Sequence, residues 1–186
     1  MRHETTLRIR AFRQALELAA AEQREECWEL PRWSELKDFP RGKCELASNF
    51  LARYLMDSDK GLHPFIICMC GNNTFREAEN SSVNGHVIVM LDGNYIDLTL
   101  DQFDEYASYI PAEPIETGGV IGSLLHKIQK HGGKISTRPV KIEDGHKLFS
   151  LLSKSADELL ASDPEMQALK RDAEASNKAF RQLFQL

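Results

Sequence analysis

The stretch GHVIVMLDGNYIDL at residues 85–98 indicates a β-hairpin. Apolar residues fill most positions of both halves, as is typical of strands that cover a core. The Asp92-Gly93 dipeptide between the two halves is typical of a tight two-residue turn. In such a turn Leu91 pairs with Asn94, and this pairing sets the register of the whole hairpin.

The register decides which polar side chains share a face of the hairpin. In the two-residue turn Ile88 lies opposite Asp97, and His86 lies two residues from Ile88. Because side chains alternate along a strand, His86 and Asp97 become diagonal neighbours on one face. A three-residue turn would put them on opposite faces unless a bulge intervened. The Asp-Gly dipeptide favours the first register and therefore an imidazole–carboxylate contact.

Upstream of the hairpin, FPRGKCELA at residues 39–47 leads into a candidate helix that starts near Cys44. A helix N-terminus stabilises negative charge, and Arg41 and Lys43 add positive charge beside the thiol. A free cysteine taken alone is more often a buried core residue. Together with His86 and Asp97, however, Cys44 completes the set that thiol catalysis needs, namely a nucleophile, a base and a group that orients the base.

FPRGKCELAS followed by GHVIVMLDGNYIDLTLDQF resembles the papain-like superfamily, especially its transglutaminase-like branch. The resemblance covers about residues 39–104 and implies a papain-like fold. It also implies that Cys44 is the nucleophile, His86 the general base and acid, and Asp97 the orienting residue. The backbone N–H of Cys44 is expected to stabilise the oxyanion. Further candidates for substrate or oxyanion contacts are Trp33, Asp38, Lys43 and Gln102.

The rest of the sequence predicts a single α+β domain over residues 1–186. We expect N-terminal helices, a nucleophile helix packed on a short antiparallel sheet, and C-terminal helices. The catalytic-like core would cover about residues 25–110 and a C-terminal helical extension about residues 120–186. Helices are predicted over 5–24, from Cys44 to about 57, and over about 121–131, 145–161 and 164–186. Strands are predicted at 63–71, 85–91 and 94–100. An irregular connection is predicted at 25–43 and a polar loop at 72–84.

Composition narrows the class of protein. The chain of 186 residues has a net charge of -5 and no dense basic stripe, so we expect no nucleic-acid partner. It has no apolar run of the roughly 20 residues that cross a bilayer, and we expect no membrane partner. No secretion signal is recognised at the N-terminus, which predicts a cytoplasmic protein with free thiols. Those thiols are Cys27, Cys44, Cys68 and Cys70.

A zinc site is an alternative interpretation of His63, Cys68 and Cys70. Alternation along a strand puts both cysteines on one side, but this spacing is not that of the usual structural zinc sites. We therefore expect no metal and no cofactor, and interpret the two cysteines as core packing or modest thiols.

The expected activity is attack of a thiolate on an acyl or amide carbonyl of a protein or peptide substrate. Resolution by water would give a cysteine peptidase, a deamidase or another amide hydrolase. Resolution by an amine would give a transglutaminase or acyltransferase. The competing class is a non-enzymatic interaction protein that keeps the fold. An effector that acts on another protein is compatible with both the enzyme and the interaction protein. The apolar face of the last helix is interpreted as core or as a partner-binding face: Met166, Leu169, Ala173, Phe180 and Leu183.

Overall fold

A computed structural model describes residues 1–21, 30–109, 113–114 and 119–184. The described part of the chain forms seven α-helices and five β-strands, so the predicted α+β class is confirmed. The helices are α1 (His3–Ala21), α2 (Trp33–Leu36), α3 (Cys44–Ser58), α4 (Asn73–Glu79), α5 (Val120–Lys130), α6 (His146–Ser162) and α7 (Pro164–Phe184). The strands are β1 (Phe65–Cys70), β2 (Gly85–Leu91), β3 (Asn94–Ile96), β4 (Glu113–Pro114) and β5 (Lys134–Arg138).

The five strands form one antiparallel sheet in the order β4-β3-β2-β1-β5. Helices cover both of its faces. On one face α1, α3 and α6 bury a first core cluster against Val89 and Ile96. On the other face α4 and α5 bury a second cluster against Ile88 and Leu100. Adjacent residues of β2 thus point into different cores, as strand alternation requires.

Helix α3 is held directly on the central strand β2. Its apolar face, from Leu46 to Leu55, is buried in the first cluster, as the sequence predicts. The hydroxyl of Ser48 donates a hydrogen bond of 2.8 Å to the carbonyl of Val87. Because Cys44 precedes Ser48 by one helical turn and His86 precedes Val87 by one residue, this bond fixes the helix that carries the cysteine to the strand that carries the histidine.

The secondary-structure prediction is wrong in several places. The connection predicted as irregular over 25–43 contains the short helix α2. The polar stretch 72–84 contains α4, because the Asn72 side chain caps the helix by accepting a bond from Phe75 N–H at 2.8 Å, and the Phe75 ring is fully buried. The strand predicted over 94–100 ends at Ile96 and gives way to short 3₁₀ turns at Leu100–Gln102 and Asp104–Tyr106. The edge strand β5 was not predicted, because its mixed and largely exposed sequence lacks an apolar signal.

The terminal helices follow the predicted pattern within the described residues. Helix α1 packs against α6, and residues 22–24 of its predicted range lie outside the described residues. In α7, Met166 is buried in the first cluster and Leu169 packs against it, whereas Ala173 and Phe180 are exposed. The role of this face in binding a partner stays a prediction. None of the described helices has the length and apolar character needed to cross a membrane.

The Ser48→Ala variant should lower the free energy of unfolding by about 1 kcal/mol, because the partly buried Val87 carbonyl loses its hydroxyl donor. Urea denaturation at neutral pH measures the change. The matched control is Ser58→Ala in the last turn of α3, whose hydroxyl bonds only the local Leu55 carbonyl at 2.9 Å. The control should stay within about 0.5 kcal/mol of wild type. Equal losses in both variants would show that the hydrogen bond between α3 and β2 contributes no more to the free energy of unfolding than a local bond within the helix.

Candidate active site

Cys44 is the first residue of α3 and its thiol is half-buried and free. The chain enters the helix through Gly42, whose φ of 68° lies in the left-handed region that favours glycine. The Lys43 N–H then closes a turn onto the Pro40 carbonyl at 3.2 Å. The thiol thus combines solvent access with the positive end of the helix dipole, the setting that the sequence predicts for a nucleophile.

The hairpin has the predicted two-residue turn. Leu91 pairs with Asn94, while Asp92 and Gly93 have φ values of 48° and 76°, both in the left-handed region. These are the dihedrals of a type I′ turn, which matches the right-handed twist of its strands. The register prediction is confirmed.

As that register requires, His86 and Asp97 are in contact. His86 Nε2 lies 2.5 Å from Asp97 Oδ2, and both residues are 1% exposed. The other carboxylate oxygen, Oδ1, accepts bonds from Thr99 N–H at 2.8 Å and from the Thr99 hydroxyl at 3.3 Å. Asp97 is therefore a fully bonded buried carboxylate, and it holds the imidazole with Nδ1 directed away from the carboxylate.

The charge of the pair is set by a competition at His86. Burial disfavours the imidazolium, but attraction and hydrogen bonding to Asp97 oppose it, and Cys44 adds the same two effects. Together these interactions outweigh burial and raise the pKa of His86 to about 9. Since Nε2 is engaged by Asp97, Nδ1 is the nitrogen available to Cys44.

Of the four further candidates, Gln102 is the residue that contacts His86. Its Oε1 accepts the Gly42 N–H at 2.8 Å, and its Nε2 lies 3.4 Å from His86 Nδ1. Because a backbone N–H can only donate, it fixes the orientation of the amide, with the NH₂ group on the histidine side. The Gln102 NH₂ group therefore lies beside Nδ1, the imidazole nitrogen that Asp97 does not engage. The Phe103 ring meets the imidazole edge to face at 5.2 Å and forms a wall of the site.

For the other three candidates, the described residues show no side-chain hydrogen bond or ion pair with Cys44, His86 or Asp97. Trp33 is buried in the first core cluster, to which residues of α1 and α6 also belong. Asp38 is exposed, and its backbone carbonyl accepts a bond from Arg41 N–H at 2.7 Å. Lys43 is half-buried at the cap position of α3, where its backbone supports the helix entry.

Cys68 and Cys70 are not part of this arrangement. Cys68 is half-buried against the first cluster and Cys70 is exposed, and both are free. Cys27 lies outside the described residues. Across the described ranges, no group of three or more His, Cys, Asp or Glu side chains is arranged to hold a metal ion.

Sequence reasoning missed Ser48 and the ion pair between Arg13 and Asp101. Arg13 interrupts the apolar pattern of the first helix, and that interruption was the available signal. Its partner could not be read from the sequence, because the two residues are 88 positions apart.

Comparison with known proteins finds no matching family model and no matching solved structure. The chain is 39% identical over 127 residues to a protein named "Uncharacterized protein YuaU" from Escherichia coli strain K12. That match covers 68% of this chain and 55% of the relative. The protein of the same name from strain UTI89 matches with the same identity and coverage. The chain thus spans about half the length of the curated relatives it matches.

His86 should titrate near pH 9 in the folded protein, because its raised pKa keeps the imidazolium until the pH rises through that value. The Asp97→Asn variant removes the attracting charge and leaves the burial, so its His86 should lose the proton at a much lower pH. Ring ¹⁵N chemical shifts of His86 across a pH series measure both values. A wild-type titration near the ordinary value of about 6.5 would contradict the ion pair.

Proposed function

We propose that this chain is a thiol-dependent enzyme that cleaves acyl or amide bonds, with Cys44 as nucleophile, His86 as general base and acid, and Asp97 as orienting residue. The observation that carries the proposal is the buried His86–Asp97 pair, whose imidazole also interacts with the half-buried thiol of Cys44 at a helix N-terminus. Each group is in the chemical setting that its proposed role requires.

The proposed reaction begins with attack of Cys44 Sγ on the carbonyl carbon of the substrate. A C–S bond forms and the carbonyl electron pair moves to oxygen. The proton on His86 Nδ1 passes to the leaving nitrogen or oxygen as the scissile bond breaks, which leaves a thioester on Cys44. Water then attacks the thioester, its proton returns to Nδ1, and the C–S bond breaks to release a carboxylic acid.

Gln102 and the start of α3 are the proposed oxyanion donors. The Gln102 NH₂ group is oriented toward the reacting side by the Gly42 bond. The backbone N–H of Cys44 is one of the first amides of the helix, which have no acceptor within the helix itself. Two such donors beside the nucleophile would stabilise the negative oxygen of the tetrahedral intermediate.

Two other functions are alternatives to hydrolysis. An amine that replaces water in the second step would form a new amide, the reaction of the transglutaminase-like branch that the sequence resembles. A hydrolase is the first choice because water is always present as an acceptor. A non-enzymatic interaction protein would keep the fold without the reaction, and it is distinguished by an unreactive Cys44. A protein or peptide is the proposed acyl donor.

Cys44 should react with iodoacetamide faster than Cys27, Cys68 or Cys70 at and below neutral pH, because the imidazolium of His86 favours the thiolate. The His86→Ala variant should remove this advantage. Peptide-level mass spectrometry after timed labelling gives a rate for each thiol.

His131→Ala is the matched control for that experiment. His131 is another partly buried histidine with a carboxylate partner, Glu79 at 3.0 Å, and it lies outside the proposed site. This variant should leave the Cys44 rate unchanged. Equal rates for all four thiols in wild type would overturn the proposed function.

The Gln102→Ala variant separates an oxyanion donor from a residue that only supports the thiol. Acylation by p-nitrophenyl acetate develops an oxyanion, so its rate should fall by about 10²-fold. Alkylation by iodoacetamide develops none, so its rate should change little. Stopped-flow release of nitrophenolate and timed alkylation give the two rates. An equal fall in both would assign Gln102 to positioning of the thiol rather than to oxyanion binding.

A further inference from the structure

Arg13 of α1 joins the two segments that meet at Gln102. We propose that Arg13 is a positioning residue for the Cys44 site, and that it sets the place of the Gln102 amide through contacts with Asp101 and Phe39. The inference rests on the proposed function and extends it to a helix that carries none of the three proposed catalytic residues.

The first contact is with the segment that follows the hairpin. Arg13 Nη1 donates to the Leu98 carbonyl at 2.7 Å and to Asp101 Oδ1 at 2.9 Å, while Nη2 donates to Asp101 Oδ2 at 2.6 Å. Two parallel bonds from a guanidinium to a carboxylate fix direction as well as distance. Leu98 directly follows Asp97, and Asp101 directly precedes Gln102. Arg13 therefore holds both ends of the short segment between these two site residues.

The second contact is with the segment that precedes the cysteine. The guanidinium carbon of Arg13 lies 5.5 Å from the centroid of the Phe39 ring, within the range of a cation–π interaction. Phe39 comes three residues before Gly42, whose N–H donates to Gln102 Oε1. The hydrogen bond between Gly42 and Gln102 is thus flanked on both sides by residues that contact the same guanidinium.

Burial makes the Arg13 contacts stronger than those of an exposed ion pair. The side chains of Arg13 and Asp101 are each 18% exposed, and the remaining guanidinium nitrogen, Nε, bonds Glu17 at 2.8 Å. Loss of the guanidinium would leave a partly buried carboxylate and the Leu98 carbonyl without their donor, so the segment would have to shift toward water.

Such a shift reaches the site because the Gln102 amide has little tolerance. Its Nε2 lies 3.4 Å from His86 Nδ1, and both nitrogens carry protons in the imidazolium form, so the Gly42 bond rather than the histidine holds the amide in place. A displacement of about 1 Å is enough to lose a catalytic contact. The expected result is loss of the oxyanion donor without loss of the thiol–imidazole pair, since Asp97 keeps its own bonds to Thr99.

The test compares Arg13→Met with Arg8→Met as the matched control. Arg8 is also on α1, its side chain is 20% exposed, and its ion pairs are with Glu4 and Asp157 rather than with the site segments. Each variant is assayed for acylation by p-nitrophenyl acetate and for alkylation of Cys44 by iodoacetamide, and urea denaturation reports its stability.

Arg13→Met should slow acylation on the order of tenfold and leave alkylation nearly unchanged. Arg8→Met should change neither rate, even if it lowers the free energy of unfolding. Arg13→Lys should recover part of the acylation rate, because an ammonium can bond one partner but cannot supply the fork. The double variant Arg13→Met with Gln102→Ala should be no slower than Gln102→Ala alone, since both act on the same amide.

The proposal is overturned if Arg13→Met acylates at the wild-type rate, or if Arg8→Met slows acylation equally, which would show a general effect of stability. Should Arg13→Met fail to fold, Asp101→Asn breaks the same pair from the other side and must give the same selective loss. Absence of acylation of Cys44 in wild type is a different outcome. It would overturn the proposed function itself and, with it, the role of Arg13.

Discussion

The buried contact between His86 and Asp97 is the constraint on which the rest of the site depends. Two ionisable groups, each 1% exposed, are stable in the interior only when each is paired and hydrogen-bonded. Asp97 meets this requirement through Thr99 as well as through the histidine. The pairing leaves one imidazole nitrogen unused by the carboxylate, and that nitrogen lies 3.4 Å from Gln102 Nε2, while the Cys44 side chain interacts with the same imidazole.

Two local structures converge on that nitrogen from different parts of the chain. The type I′ turn sets the hairpin register and so brings the carboxylate to the histidine. The α3 helix brings the thiol, and the hydroxyl of Ser48 ties it to β2 beside the histidine. Gln102 then links the entry of the helix to the end of the hairpin through Gly42. The site is therefore a junction of three segments, and Arg13 contacts two of them from α1.

Local signals account for what could be predicted from the sequence. The Asp92-Gly93 turn is a property of two residues, and it was enough to predict the register and the contact between His86 and Asp97. The start of α3 at Cys44 could likewise be read from glycine followed by apolar spacing. Helix α4 was missed because Phe75 is the one buried residue of the helix itself, and β5 because an exposed edge strand carries no apolar pattern.

Tertiary contacts account for what could not be predicted. Gln102 was a candidate only by type and nearness, because its orientation depends on a bond to Gly42, 60 residues away. Trp33 is a candidate by the same criteria, yet its apolar ring is buried in the first core cluster. The pairing of Arg13 with Asp101 depends on how α1 packs, which no short motif encodes.

The most direct test of the central claim is intact-protein mass spectrometry after brief exposure to p-nitrophenyl acetate and an acid quench. The account predicts one acetyl group, located on Cys44 by peptide mapping, in the wild-type protein. It predicts none in Cys44→Ala and much less in His86→Ala, because the thiol then lacks its base. An adduct spread over several thiols, or one that forms equally fast without His86, would contradict the account.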